Sequence, residues 1–156
     1  MLHIRDYDAR DAEALGQVFY DAVHEGAGAV YTVEQCQAWC QHAPSGPEWR
    51  GRLAASSVVV AEWDNAVAGF MTLVEASGLI DLAYVGPRFH RKGIASALLA
   101  VLEGRAKVAG VQTLHTEASL LAEPMFAANG WSAVKRQVVE RFGVRLQNCR
   151  MEKVFG

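Results

Sequence analysis

The chain has 156 residues, 51% apolar and 21% charged, with a net charge of -2. This composition excludes a disordered or fibrous protein, and the mild negative charge argues against nucleic acid as the general partner. The length predicts one domain, residues 1–156, that buries about 70% of its unfolded surface without disulfides or a metal as staples.

Taken in chain order, Leu2 to Arg5 reads as a short strand. Asp8 then offers an N-cap, and Leu15, Val18, Phe19 and Ala22 recur at helical spacing, with a stop near Gly26 to Gly28. Thr32 and Gln35 form a capping box for a second helix reaching about Cys40. Pro44 to Pro47 reads as a loop, followed by a helical turn from Trp49 to Leu53. The period then changes. Ser57 to Glu62, Val67 to Glu75 and Leu79 to Val85 read as three strands joined by turns at Asp64-Asn65 and Ser77-Gly78, an antiparallel meander. Pro87 stops the third strand by removing a donor. A helix follows, with Ile94, Leu98, Val101 and Leu102 on one stripe and Gly110 at its end. Gln112 to Glu117 predicts a strand parallel to Leu79–Val85, because the connection is a strand–helix–strand unit. Leu120 to Ala128 predicts a helix, and Trp131 to Arg141 and Val144 to Val154 two long strands. The order predicts an α/β fold around one mixed, mostly antiparallel sheet with helices on both faces.

No apolar stretch is long enough for a membrane-spanning helix, so no membrane partner is expected. Met1 to Arg10 carries Asp6 and Asp8 and lacks the apolar segment of a secretion signal. With three cysteines, an odd number, this predicts reduced thiols and a cytoplasmic location. Cys36, Cys40 and His42 stand close in sequence, but no further ligand pair completes a zinc set, so no metal is expected.

The stretch between the third strand and the next helix carries the chemistry. A helix N-terminus presents unpaired N–H groups and a partial positive charge. Gly93 keeps a Cβ out of the way of a ligand. Arg88, Arg91 and Lys92 add positive charge, with His90 beside them. Together they make an anion cradle suited to a pyrophosphate. The spacing is not that of a Walker A loop, and Gly26-Ala27-Gly28 lacks the context of a dinucleotide fingerprint.

Val85-Gly86-Pro87 followed by His90-Arg91-Lys92-Gly93-Ile94-Ala95 resembles the signature of the GNAT family of N-acetyltransferases, Q/R-x-x-G-x-G/A after a strand. Pro124 to Trp131 resembles the family's P-F-F/Y-x-x-x-G-F segment, and the final strand pair resembles the closing hairpin of small bacterial members. The resemblance implies an acetyl-CoA donor and a small-molecule or peptide amine as acceptor, in a monomer or homodimer. It implies that Arg91, Lys92, Gly93, Ile94, Ala95 and Ser96 hold the pyrophosphate through backbone N–H groups, with His90 at the first signature position. It also implies that the strand through Ala83 and Val85 pairs with the pantetheine arm, that this strand splays from Gln112–Glu117, and that the thioester lies in the gap. Ser119 stands near a position that touches pantetheine in many members. Phe126 occupies the position of a tyrosine that in many members protonates the leaving thiolate, so here it would contribute contact and no proton. That substitution is the one feature that favours an alternative, a non-catalytic acyl-CoA-binding or sensing module.

Amine acetylation needs a base, because an ammonium has no free pair. Alternation places Asp81, Ala83 and Val85 on one face of their strand and Leu82 and Tyr84 on the other. Asp81, an acid within an apolar strand, is a base candidate, with Glu117, Glu75, His115 or water as alternatives. Tyr84 is a candidate acid, although tyrosine in such a strand is often core. Tyr20, Tyr31, Trp39 and Trp49 fall in the region that walls the acceptor site in the family, although most of them read as packing the two helices onto the sheet. Lys135, Arg136 and Arg141 on the opposite wall read as a solvated face.

Overall fold

Strands and helices follow the two periods read in the sequence. In the computed structural model, which describes residues 1–156, the strands are β1 (Leu2–Asp6), β2 (Ser57–Trp63), β3 (Ala66–Val74), β4 (Leu79–Val85), β5 (Thr113–Ser119), β6 (Ser132–Arg141) and β7 (Val144–Val154). The helices are α1 (Ala12–Gly26), α2 (Val33–Trp39), α3 (Gly46–Ala54), α4 (Ile94–Val108) and α5 (Glu123–Ala128). All seven strands join one sheet in the order β1-β2-β3-β4-β5-β7-β6. Every neighbouring pair is antiparallel except β4 and β5, which are parallel as the strand–helix–strand connection requires.

The central strands of the sheet, β2 and β3, are buried on both faces. In β2, Val58 and Val60 enter the core beneath α1 to α3, while Val59 and Ala61 enter the core beneath α4. Ile94, Leu98, Leu99 and Leu102 form the buried stripe of α4. Leu15, Phe19, Trp49 and Leu53 do the same for α1 and α3. Burying one such side chain contributes about 1.5–3 kcal/mol, so each core dominates the folding of its layer.

Several local expectations change for identifiable reasons. Asp8 caps a 3-10 turn over Ala9–Asp11 rather than α1 itself. Asp11, held by both terminal guanidinium nitrogens of Arg5 at 2.8 Å, completes the box by accepting the Asp8 N–H. The loop expected through Pro47 gives way earlier to α3, because proline in a first turn removes only an N–H that has no helical partner. That segment lies against α1. A Cβ on Gly16 would come within 2.0 Å of the Pro44 carbonyl oxygen, and the Trp49 indole donates to the Ala12 carbonyl at 2.7 Å. The helix expected from Leu120 starts only at Glu123, after a turn in which Ser119 Oγ accepts the Ala122 N–H at 3.1 Å.

The correction that matters most lies in β4. Leu73 pairs with Ile80 and Thr72 with Leu82, which leaves Asp81 as an extra residue. This is a β-bulge, and it reverses the alternation. Ile80 faces the α4 core, Leu82 and Tyr84 face the α1–α3 core, and Ala83 and Val85 pack toward α4. Asp81 does not share their face and turns to Arg52 of α3, at 3.1–3.2 Å. The bulge disrupts the ladder on each side of Asp81. The Thr72 hydroxyl accepts the Leu82 N–H at 3.0 Å, and the Thr116 hydroxyl donates to the Ile80 carbonyl at 2.8 Å. Thr72 and Thr116 are the two buried polar residues of the chain.

Candidate active site

Pairing between β4 and β5 consists of Leu79 with His115 and Ile80 with Thr116. Beyond the bulge the strands part, as expected for a splayed pair. The Gly86 N–H donates to the Ala68 carbonyl at 2.8 Å, so by the two-residue period Tyr84 points its backbone groups at β3. Ala83 and Val85 therefore turn theirs toward the gap.

An outer cavity of about 710 Å³ opens from this gap to the start of α4. Ala83, Val85, His90, Arg91, Gly93, Ile94, Ala95, Ser96 and Ser119 line it. The backbone N–H groups from Arg91 through Ser96 donate to no protein oxygen. Arg91 and Gly93 are both left-handed, with φ of 63° and 73°, and this curls successive N–H groups into a nest. A Cβ on Gly93 would meet no protein atom within 4 Å, so the space beside it is open to a ligand. Lys92 is placed differently from its neighbours. Its ammonium sits over the Trp63 ring, 4.5 Å from the centroid, and its side chain does not line the cavity. Only its N–H belongs to the nest. Ser96 Oγ accepts from Asn129 Nδ2 at 3.0 Å, tying α4 to the end of α5.

An inner cavity of about 320 Å³ lies beyond the gap and shares Trp39, Ala83, Tyr84, Ser119 and Ala122 with the outer one. Of the base candidates, Asp81 and Glu117 line it, while Glu75 and His115 do not. Asp81 is held in its ion pair with Arg52. Glu117 accepts one hydrogen bond from Gln137 Nε2, at 3.2 Å, and has no cation paired with it. Tyr84 stacks on Phe19 with ring centroids 4.2 Å apart. Burial pushes its phenol well above the ordinary tyrosine value, so it is a hydrogen donor at neutral pH. Phe126 lies at the floor of the inner cavity and does not line the outer one. It is 1% exposed and packs edge-on against Trp131 at 4.9 Å.

Of Tyr20, Tyr31, Trp39 and Trp49, Tyr31 and Trp39 line the inner cavity, together with Phe19, while Trp49 is core and Tyr20 stacks on His24 outside it. Sequence reasoning missed Arg52, Gln147 and Asn148, and took Arg141 for part of a solvated face. Arg141 lines the inner cavity, whereas Arg136 pairs with Glu123. No local motif marks these residues. They meet because β6 and β7 fold back beside β5. The cysteines play no part here. All three thiols are free and raised by burial, Cys40 to about 11, and no group of acidic, histidine or cysteine side chains is arranged to hold a metal.

A nest of free N–H groups at a helix start, beside a strand with unpaired backbone at a split in the sheet, offers the groups that an anionic, elongated ligand needs. The acetyltransferase (GNAT) domain model matches residues 28–153. The N-acetyltransferase YafP of Escherichia coli K12 is 35% identical over 150 residues, which covers 96% of this chain and 94% of YafP. The chain belongs to the GNAT acetyltransferase family. Among solved structures, a GCN5-related N-acetyltransferase from Rhodopseudomonas palustris superposes with a TM-score of 0.91 at 27% identity, covering 98% of this chain and 95% of its own. The PaiA N-acetyltransferase of Thermoplasma acidophilum, solved in complex with coenzyme A, has a TM-score of 0.76 at 17% identity, with 99% of both chains covered.

Proposed function

We propose that this single-domain enzyme transfers an acetyl group from acetyl-CoA to a small primary amine by direct attack across the β4–β5 gap. One observation carries the assignment. The unpaired N–H groups of Arg91 to Ser96 open onto the same gap that leads into the inner cavity. The nest holds the pyrophosphate of the donor. The backbone of Ala83 and Val85 pairs with the pantetheine arm, and Ser119 lies beside its end. The thioester then sits where the two cavities meet.

The acceptor enters the inner cavity as an ammonium and gives a proton to Glu117, directly or through one water. Glu117 suits this step because no cation competes for its carboxylate, whereas taking up a proton on Asp81 would break the pair with Arg52. The freed amine attacks the carbonyl carbon, forming the C–N bond. The C–S bond breaks with its electrons on sulfur, and the amide nitrogen loses its second proton to solvent. The leaving thiolate is stabilised by a hydrogen bond from Tyr84, which keeps its own proton, and takes up a proton from solvent. A CoA thiol is similar to cysteine, with a pKa of about 8.5, so it leaves without a strong acid. Phe126 provides only apolar contact. The small inner cavity favours a small acceptor over a folded protein surface. Three unbridged thiols and the absence of a helix long and apolar enough to cross a membrane are compatible with work in the cytoplasm.

The test is release of free CoA thiol from acetyl-CoA against a panel of small primary amines, with the acetylated products identified by mass spectrometry. Amine-dependent release is expected. Tight CoA binding with no amine-dependent release would favour a binding or sensing module.

A further inference from the structure

Resting on the transfer reading above, we infer that the acceptor carries an anionic group, a carboxylate or its like, at the end away from its amine, and that Arg141 receives it. Four charged side chains line the inner cavity: Arg52, Asp81, Glu117 and Arg141. Arg52 and Asp81 neutralise each other. What remains is one carboxylate, Glu117, and one guanidinium, Arg141. Arg141 makes a single hydrogen bond, to the backbone carbonyl of Glu140 at 3.1 Å, and has no carboxylate within ion-pair distance.

A monofunctional amine would satisfy Glu117 and leave the cavity with a net positive side chain at its wall. A ligand with an ammonium at one end and an anion at the other matches both charges. A planar guanidinium fork is suited to bind carboxylate or phosphonate oxygens in pairs.

The experiment compares glycine, β-alanine and γ-aminobutyrate with their carboxamides, and aminoethylphosphonate with ethanolamine, as acceptors for the wild-type and Arg141→Gln proteins. Acids preferred over neutral partners by roughly tenfold or more in kcat/KM, with the preference erased in Arg141→Gln, are expected from a charge-assisted pair. The KM for acetyl-CoA should not move, which separates a role in acceptor choice from general damage. Equal use of acids and neutral partners, or a preference that survives Arg141→Gln, would overturn the inference while leaving the transfer reading standing. If no amine turns over, the same pairs titrated into the CoA-bound protein decide. Tighter binding of the acids, lost in Arg141→Gln, upholds the anion site and places the failure with the transfer reading. Equal binding, or none, overturns it.

Discussion

The outer cavity presents unpaired N–H groups from one stretch of backbone, Arg91 to Ser96, whereas the inner cavity collects side chains from α1, α2, α3, β4, β5, α5, β6 and β7. A backbone nest depends on dihedral angles and so on glycine at Gly93, while tolerating almost any side chain beside it. A pocket of converging side chains depends on every element that supplies one. The first kind of site suits a ligand shared by many enzymes, and the second a ligand particular to one.

The largest expected effect lies on the inner side. Glu117→Gln should lower kcat by a factor on the order of 100, with the KM for acetyl-CoA unchanged. Asp81→Asn should cost less in kcat, because Asp81 is already engaged by Arg52. Equal losses from the two variants would move the base role toward Asp81. On the outer side, Gly93→Val forces a β-branched residue to a φ of 73°. A left-handed conformation costs such a residue about 1–2 kcal/mol, so CoA affinity should fall by about tenfold or more as the nest relaxes. Calorimetry reads this directly.

Between the two sides lies the bulge. Thr116→Val preserves shape and leaves the Ile80 carbonyl without its donor. It should destabilise the protein by about 1–3 kcal/mol in urea unfolding. A neutral result would mean that the parting of β4 and β5 does not need this brace. The smallest effects are expected at the aromatic residues. Burial keeps Tyr84 protonated beyond the pH of about 10 at which an ordinary tyrosine ionises. Tyr84→Phe should therefore leave the alkaline side of the pH–rate profile unchanged even as the rate itself falls. Phe126→Tyr should change kcat by less than about tenfold, since the ring is sealed against Trp131, and a hundredfold rise would restore a proton donor to that position.

The same contrast explains how much was legible in the sequence. Strand limits in β4, the capping box at Thr32, the parallel placement of β5 and the loop at Gly93 all rest on local signals, namely periodicity, caps and glycine spacing. The bulge at Asp81 has no such signal. An uninterrupted run, Leu79 to Val85, looks like regular alternation, and only the pairing with β3 reveals the extra residue. Arg52 lies 29 residues from Asp81, and Arg141 and Asn148 reach the cavity only through the β5–β7–β6 pairing, so their meeting is a property of topology.

The proposed division between a backbone-built donor site and a side-chain-built acceptor site is tested most directly by calorimetric titration of CoA into the wild-type, Gly93→Val and Glu117→Gln proteins. Glu117→Gln should bind as the wild type does, and Gly93→Val about tenfold or more weakly. Equal affinity in all three, or a loss confined to Glu117→Gln, would contradict the placement of the donor at the start of α4.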